Sequence, residues 1–177
     1  MAGGAPSLRR HLVPGFVTSL YHYLSSRALV SLSARVQWGP EIRFGRGTVV
    51  KAFAVVQSSG GTVRFGRECA LSSFVHVSTG AGDVIVGDYV RVGPNCSLVG
   101  GTKQVHARDV RVKDQPETEA RGLVIGDDVL IGAGVVVLPG SRIGTGAVIG
   151  ANSVVSGEVP EYAIVAGAPA RVVGHRE

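Results

Sequence analysis

The chain repeats one short motif, as EIRFGR at residues 41–46, TVRFGR at 62–67 and, more loosely, DVIVGD at 83–88. The copies follow one another at a constant interval, and a finer period of six lies within each interval. An apolar residue recurs at every sixth position, and a small or β-branched companion stands two residues before the next apolar one. Because strand side chains alternate between two faces, both series point the same way. The repeat therefore predicts an all-β fold, a parallel β-helix of triangular coils that buries both series.

The apolar series predicts five coils of three six-residue segments each. Two companion positions hold Cys69 and Cys96, in different segments and hence on different faces, so we expect two buried free thiols. Free thiols are typical of a reducing compartment, which favours the cytoplasm. The members of the apolar series are Phe44, Val50, Val56, Phe65, Leu71, Val77, Val86, Val92, Leu98, Ile125, Ile131, Val137, Ile143, Ile149 and Val155.

Two segments do not follow the repeat. We assign residues 1–40 to an N-terminal helical extension, 41–173 to the β-helix and 174–177 to a tail. The apolar spacing predicts a helix from about Phe16 to Ser33, which would either cap the first coil or make a peripheral membrane contact. The charged stretch 100–122 predicts a protruding loop, because connections this long are usually functional or disordered. No apolar run of transmembrane length occurs, so we expect no membrane-spanning helix.

Composition and charge narrow the class of protein. The 177 residues are 45% hydrophobic and include 26 glycines, as expected for a single globular domain with many tight turns. Nine Lys/Arg and two Asp/Glu fall in residues 1–82, so the excess of positive charge is N-terminal. Such charge suits cofactor phosphates or anionic lipid. Nucleic acid is not an expected partner, because no stacking aromatic residues accompany the charge.

The C-terminal coils resemble a known family. The stretches IGDDVLIGAGVVVLPG at 125–140, IGANSVV at 149–155 and VAGAPARVV at 165–173 are similar to the hexapeptide-repeat acyltransferases, in particular the maltose, galactoside and polysaccharide O-acetyltransferases. This resemblance implies a left-handed β-helix and a homotrimer. It also implies transfer of an acetyl group from acetyl-CoA, bound in a cleft between subunits, to a sugar-type acceptor, with no metal.

The resemblance assigns binding positions residue by residue. The cofactor-contacting positions correspond to Ala133, Ala151, Ser156 and Arg171. Small residues would let backbone amides approach the pantetheine, and an arginine can pair with phosphate. Ser72 and Ser73 stand where the family has an acceptor-binding turn, and their hydroxyls would hydrogen-bond a sugar.

The catalytic base does not follow the family pattern. The family carries a histidine eight residues after a Pro-Asn pair, and counting eight residues from Asn95, the end of the Pro94-Asn95 pair, leads to Lys103. A lysine would need a pKa far below its ordinary value of about 10.4 to accept a proton at neutral pH. His106, in the same predicted loop, is therefore the first candidate, and His76, which points outward from a coil face, is the second. Either would assist direct attack of the acceptor on the thioester.

Three other functions are alternatives to a sugar acetyltransferase. A serine acetyltransferase would share the GGT at 100–102 and the tail, but that family carries a long N-terminal helical domain. A γ-type carbonic anhydrase needs three converging histidines, and the predicted coils contain only His76. A non-catalytic β-helix scaffold would explain Lys103. The sequence leaves open the acceptor, the acyl chain length, O- or N-transfer, and whether activity is retained.

Overall fold

The computed structural model describes residues 13–116 and 121–177, which form a left-handed parallel β-helix with three flat faces. Consecutive coils pair in register as parallel strands on every face. The chain visits the faces in the order A, B, C, so each coil contributes one short strand to each face. The predicted fold class is confirmed.

Helix α1, at Gly15–Ser26, precedes all strands. Face A contains β1 Leu29–Val30, β4 Val49–Val50, β7 Ala70–Leu71, β10 Arg91–Val92, β13 Leu130–Ile131, β16 Val148–Ile149 and β19 Ala163–Ala166, followed by the antiparallel β20 Arg171–His175. Face B contains β2 Arg35–Val36, β5 Val55–Gln57, β8 His76–Ser78, β11 Ser97–Val99, β14 Val136–Val137 and β17 Val154–Val155. Face C contains β3 Ile42–Phe44, β6 Val63–Phe65, β9 Val84–Val86, β12 Leu123–Ile125, β15 Arg142–Ile143 and β18 Glu158–Val159.

The described residues form six coils, so the predicted number of five was wrong. Strands β1 and β2 already pair with β4 and β5, and the expected boundary at residue 41 therefore falls inside the first coil. Helix α1 ends at Ser26 instead of Ser33, because Arg27 adopts a left-handed conformation with φ of 59° and the strand of the first coil follows at once.

The core contains the two series that the repeat predicts, together with Ala28, Val30, Ala34 and Val36 of the first coil. All fifteen apolar positions are buried, and so are the companions, including Cys69 and Cys96. Both cysteines are free, and burial raises the pKa of each thiol. Buried hydroxyls are satisfied by backbone carbonyls, as in the bond of 2.7 Å that Thr48 Oγ1 donates to Gly66 O.

Helix α1 covers the open end of the first coil. Thr18 and His22 are buried there, and the His22 ring lies 5.0 Å from that of Phe44. Tyr21 packs against Trp38 with 4.6 Å between ring centroids. None of the described helices has the length and hydropathy needed to cross a bilayer.

Candidate active site

The corner between faces A and B forms a straight ridge along the solenoid. Backbone hydrogen bonds connect successive coils at this corner, from Asn95 N to Ser73 O (3.2 Å), Gly134 N to Pro94 O (2.9 Å) and Asn152 N to Ala133 O (2.8 Å). We call this feature the A–B ridge, and its outer residues in four successive coils are Ser73, Pro94, Ala133 and Ala151. Neighbouring coils are about 4.8 Å apart. The predicted cofactor residues Ala133 and Ala151 therefore lie side by side, with the predicted acceptor residues Ser72 and Ser73 on the same ridge two coils earlier.

Glycine allows the coils of the ridge to stack closely. A Cβ on Gly93 would lie 2.8 Å from the Ala133 nitrogen, and one on Gly132 would lie 2.7 Å from the Ala151 nitrogen. Both distances are too short for any side chain. Ala133 and Ala151 are themselves exposed, so at these two positions a ligand would meet only backbone and methyl groups.

The other two predicted cofactor residues lie near the C-terminal end of the solenoid, Ser156 after the last strand of face B and Arg171 at the start of β20 of face A. Ser156 is exposed and directly follows β17. The turn that leads into β20 is bound to the same strand, because Ala170 N donates to Val154 O at 2.8 Å. Arg171 starts β20 and is exposed. Within the described ranges its guanidinium hydrogen-bonds to the Ala170 carbonyl oxygen, at 2.9 Å, and to no acidic side chain.

His76 lies on face B beside the ridge, three residues after Ser73. It is the first residue of β8, is half-buried, and is in register with Val55 and Ser97 of the neighbouring coils. Its ring nitrogen Nε2 lies 3.4 Å from Nε2 of Gln57. This contact ties the imidazole to the preceding coil and limits its rotation.

The loop of residues 100–122 leaves face B at the edge opposite the ridge, between β11 and β12. Its two ends meet at Gly82, where a Cβ would collide with both Gly100 and Gly122. Gly100 N also donates to Ser78 O at 2.8 Å. The segment therefore protrudes from a closed neck without interrupting the stack of coils. Residues 117–120 lie outside the described part.

A buried glutamine organises the described part of this loop. The Gln115 amide donates to the carbonyl oxygens of Ala107 and Val110, both at 2.9 Å, and accepts from Ala107 N at 3.3 Å. Lys103 Nζ donates to Gln115 O at 3.3 Å. His106 is exposed, and its ring makes no hydrogen bond to the described residues. The structure thus places His76 next to the ridge, and His106 and Lys103 in the loop whose neck lies at the far edge of face B.

Two aromatic residues beside the ridge were missed by the sequence analysis. Phe53 and Phe74 are each 56% exposed, and their rings stack with 5.2 Å between centroids and 15° between planes. Both have positive φ, of 61° and 62°, at a turn position where the next coils carry Asn95 and Gly134. A bulky aromatic residue at a position suited to Asn or Gly was the available signal.

Ionisable side chains do not gather into a metal site in the part of the chain described here. No group of three or more His, Cys, Asp or Glu residues within it is arranged to hold a metal ion.

Comparison with known proteins finds a match to a family model in the C-terminal coils. The family model for "Bacterial transferase hexapeptide (six repeats)" matches residues 122–157. The putative lipopolysaccharide biosynthesis O-acetyl transferase WbbJ of Escherichia coli K12 is 48% identical over 60 residues, which are 34% of this chain and 31% of that protein. Galactoside O-acetyltransferase of Lactococcus lactis is 38% identical over 90 residues, which are 51% of this chain and 42% of that protein. The chain thus spans about a third to two fifths of the length of these relatives.

Solved structures share the fold over most of the chain. A mutant of AntD, an N-acyltransferase from Bacillus cereus, in complex with dTDP and coenzyme A, has a TM-score of 0.74 at 19% identity, covering 85% of this chain and 82% of that one. PerB from Caulobacter crescentus, in complex with CoA and GDP-perosamine, has a TM-score of 0.63 at 22% identity, covering 83% and 57%. The predicted resemblance is confirmed, and the chain is a hexapeptide-repeat β-helix with the fold of these acyltransferases.

Proposed function

We propose that the protein is an acyltransferase that moves an acetyl group from acetyl-CoA to a hydroxyl or amine of a sugar-type acceptor. The observation that carries this proposal is the A–B ridge, on which Ala133 and Ala151 are aligned with Ser73 and beside which His76 lies. The similar proteins support both substrates. The curated relatives are named as O-acetyltransferases, and the two structures were solved with coenzyme A, one of them with GDP-perosamine.

The ridge suits the donor substrate. Extended pantetheine forms hydrogen bonds with backbone amides, and the exposed alanines at 133 and 151 leave the backbone of two coils open to it. Arg171, with no acidic partner in the described residues, is free to form charge-assisted hydrogen bonds with a phosphate of the cofactor. Ser156 lies at the same end of face B and adds a hydroxyl. Acetyl-CoA would supply an activated thioester carbonyl.

We propose His76 as the general base, with His106 as the second candidate and Lys103 as the third. A base must be held within reach of the proton it accepts. His76 lies on face B beside the ridge and is in contact with Gln57, whereas His106 is exposed on the loop whose neck lies at the opposite edge. The imidazole would accept a proton from the acceptor's hydroxyl or amine while the oxygen or nitrogen of that group bonds to the carbonyl carbon of the thioester. The carbon–sulfur bond then breaks, and the proton passes to the departing CoA thiolate.

The acceptor would lie at the N-terminal side of the ridge. Ser72 and Ser73 offer hydroxyls for hydrogen bonds to a sugar. The exposed faces of Phe53 and Phe74 offer an apolar surface on which a sugar ring or a nucleotide base can stack. In the homotrimer that we propose, the ridge of one copy and a coil face of the next form the two walls of the cleft. The two free thiols fit a cytoplasmic protein.

The decisive experiment follows the release of CoA thiol with acetyl-CoA and a panel of sugars, amino sugars and nucleotide sugars. The acceptor that sustains turnover defines the substrate, and the product bond separates O- from N-transfer. His76→Ala should lower kcat by roughly 10² to 10⁴, because a general base contributes only in the transition state. His106→Ala and Lys103→Ala are the matched controls and should retain most activity. Loss of activity in His106→Ala with an active His76→Ala would move the base to the loop.

Measurement of acetyl-CoA binding by calorimetry distinguishes the proposed enzyme from a non-catalytic scaffold, the alternative that Lys103 at the expected position of the base would explain. The wild type should bind acetyl-CoA, His76→Ala should bind it equally well, and Arg171→Ala should bind it roughly tenfold or more weakly, as expected for one charge-assisted contact. Absence of binding at millimolar acetyl-CoA would make the non-catalytic scaffold the better description.

A further inference from the structure

Helix α1 has its polar residues inside and its apolar residues outside. Thr18 and His22, one turn apart, are buried against the first coil. On the opposite side of the helix, Phe16, Leu20 and Leu24 are spaced four residues apart and are 64%, 55% and 71% exposed. A helix on the surface of a soluble domain normally has the reverse arrangement, with its apolar stripe facing the core. The exposed stripe of Phe16, Leu20 and Leu24 therefore indicates that this side of the helix contacts an apolar partner.

This stripe borders an open apolar groove of about 630 Å³ between helix α1 and the first strands of face A. Leu32, at the start of the A–B ridge, is 70% exposed on the coil side of the groove, and Leu29 is 53% exposed. Exposed apolar patches of this kind on a soluble protein mark interaction sites. The large apolar residues of the groove that are exposed or half-buried are Phe16, Leu20, Tyr23, Leu29, Leu32 and Val49.

Positive charge surrounds the groove. Lys51 lines it directly, and Arg27 and Arg46 line an adjoining hollow that shares Tyr23 and Leu29 with it. All three cations are exposed. The residues that line the two hollows include no Asp or Glu.

The surroundings extend this charge. Among described residues 13–82 there are seven Lys or Arg and two Asp or Glu. One of these acidic residues, Glu68, lies on the next coil beside Gly47. The Arg91 guanidinium donates a hydrogen bond to the backbone carbonyl oxygen of Glu68. The end of the solenoid that carries the groove is therefore cationic as a whole.

We propose that this groove and its cations dock the protein on the surface of an anionic lipid bilayer. The leucines and Phe16 would enter the boundary between headgroups and acyl chains, while Lys51, Arg27 and Arg46 would meet lipid phosphates. A two-fold contact with a second copy of the chain fits less well, because it would bring the like charges of this face together. The proposal is independent of the reaction assigned to the ridge.

Co-sedimentation of the full chain with vesicles tests this proposal. Vesicles of phosphatidylcholine with roughly one third phosphatidylglycerol should bind the protein at low salt, and pure phosphatidylcholine vesicles should bind it much less. Leu20→Glu and Leu32→Glu should each weaken binding roughly tenfold or more, because a charge replaces a group that enters the bilayer. Lys51→Gln and Arg46→Gln should each weaken binding to the anionic vesicles about fivefold, and high salt should also weaken this binding.

Leu130→Glu is the matched control, because Leu130 is 49% exposed on face A, three coils beyond the last strand that lines the groove. It should leave vesicle binding unchanged. Failure of the wild type to bind anionic vesicles at low salt would overturn the proposal, as would an equal loss in Leu130→Glu. If Leu20→Glu changes the particle mass in light scattering and leaves vesicle binding unaltered, the groove is an interface between copies of the chain instead.

Discussion

At the scale of single residues, burial of His22 makes stability depend on pH. Removal of water from its charged form lowers the pKa of His22 to about 4, from an ordinary 6.5. Between these two pH values the unfolded chain binds a proton that the folded chain does not, so the free energy of unfolding falls as pH drops from about 6.5 to about 4. The full loss is roughly 3 kcal/mol. Above pH 6.5 this histidine has no such effect.

Urea unfolding at several pH values between 7 and about 4 measures this loss. His22→Leu removes the titrating group, and its free energy of unfolding should fall less over the same interval. Thr18→Val, at the neighbouring buried position, serves as control and should keep the pH dependence of the wild type. Equal pH dependence in His22→Leu and wild type would show that folding does not change the pKa of His22, which would contradict this prediction.

At the scale of the element, the loop of residues 100–122 depends on Gln115 for its shape. Gln115→Ala removes three side-chain hydrogen bonds, with the groups of Ala107 and Val110. At about 1 kcal/mol for each bond, opening of the loop becomes easier by roughly 2 to 3 kcal/mol. Trypsin should then cut after Arg108 and Arg111 at least roughly tenfold faster, while the melting temperature of the coils stays nearly unchanged.

Gln104→Ala is the control for this substitution. The backbone of Gln104 bonds to Pro116 O at 2.9 Å, but its side chain makes no hydrogen bond to the described residues. Cleavage should therefore remain at the rate of the wild type. If both variants are cut equally fast, the loop is ordered by contacts other than those of Gln115.

At the scale of the whole molecule, we predict a homotrimer of roughly 55 kDa, since the chain itself has a mass of 18.3 kDa. The physical reason is the shape of the ridge, which is one convex wall and needs a second surface to enclose a ligand. Light scattering at micromolar concentration measures the mass. A stable monomer would require the donor and acceptor to bind on one chain alone, along face B between the ridge and the loop.

The β-helix itself could be predicted from the sequence because burial in a coil is decided locally. Strand alternation sends each apolar residue and its companion inward, so a period of six is enough to identify the core, and all fifteen predicted apolar positions are buried. The repeat did not predict the first coil, because this coil is one residue shorter than the next. Val36 pairs with Val56, and Val56 in turn pairs with Val77, so the interval that the motif copies share does not extend back to the first coil.

Contacts between coils were decided only by the tertiary structure. On face B, His76 pairs with Ser97, Ser97 pairs with Val136 across the loop, and Val136 pairs with Val154. The interval along the chain is different at each of these steps, because the loop lengthens one coil and the later coils lack the extra corner residues of the earlier ones. Because the number of residues between paired positions changes from coil to coil, the alignment of the ridge residues and the contact of His76 with Gln57 could not be predicted from the sequence.

The orientation of helix α1 is the clearest difference between sequence and structure. Its apolar spacing predicts a stripe that packs on the first coil, yet Thr18 and His22 face the coil and Leu20 faces solvent. Helical periodicity shows that a helix has two unlike sides, and the sequence determined that much. Which side is buried depends on the surface that the rest of the fold presents, and only the assembled first coil decided it.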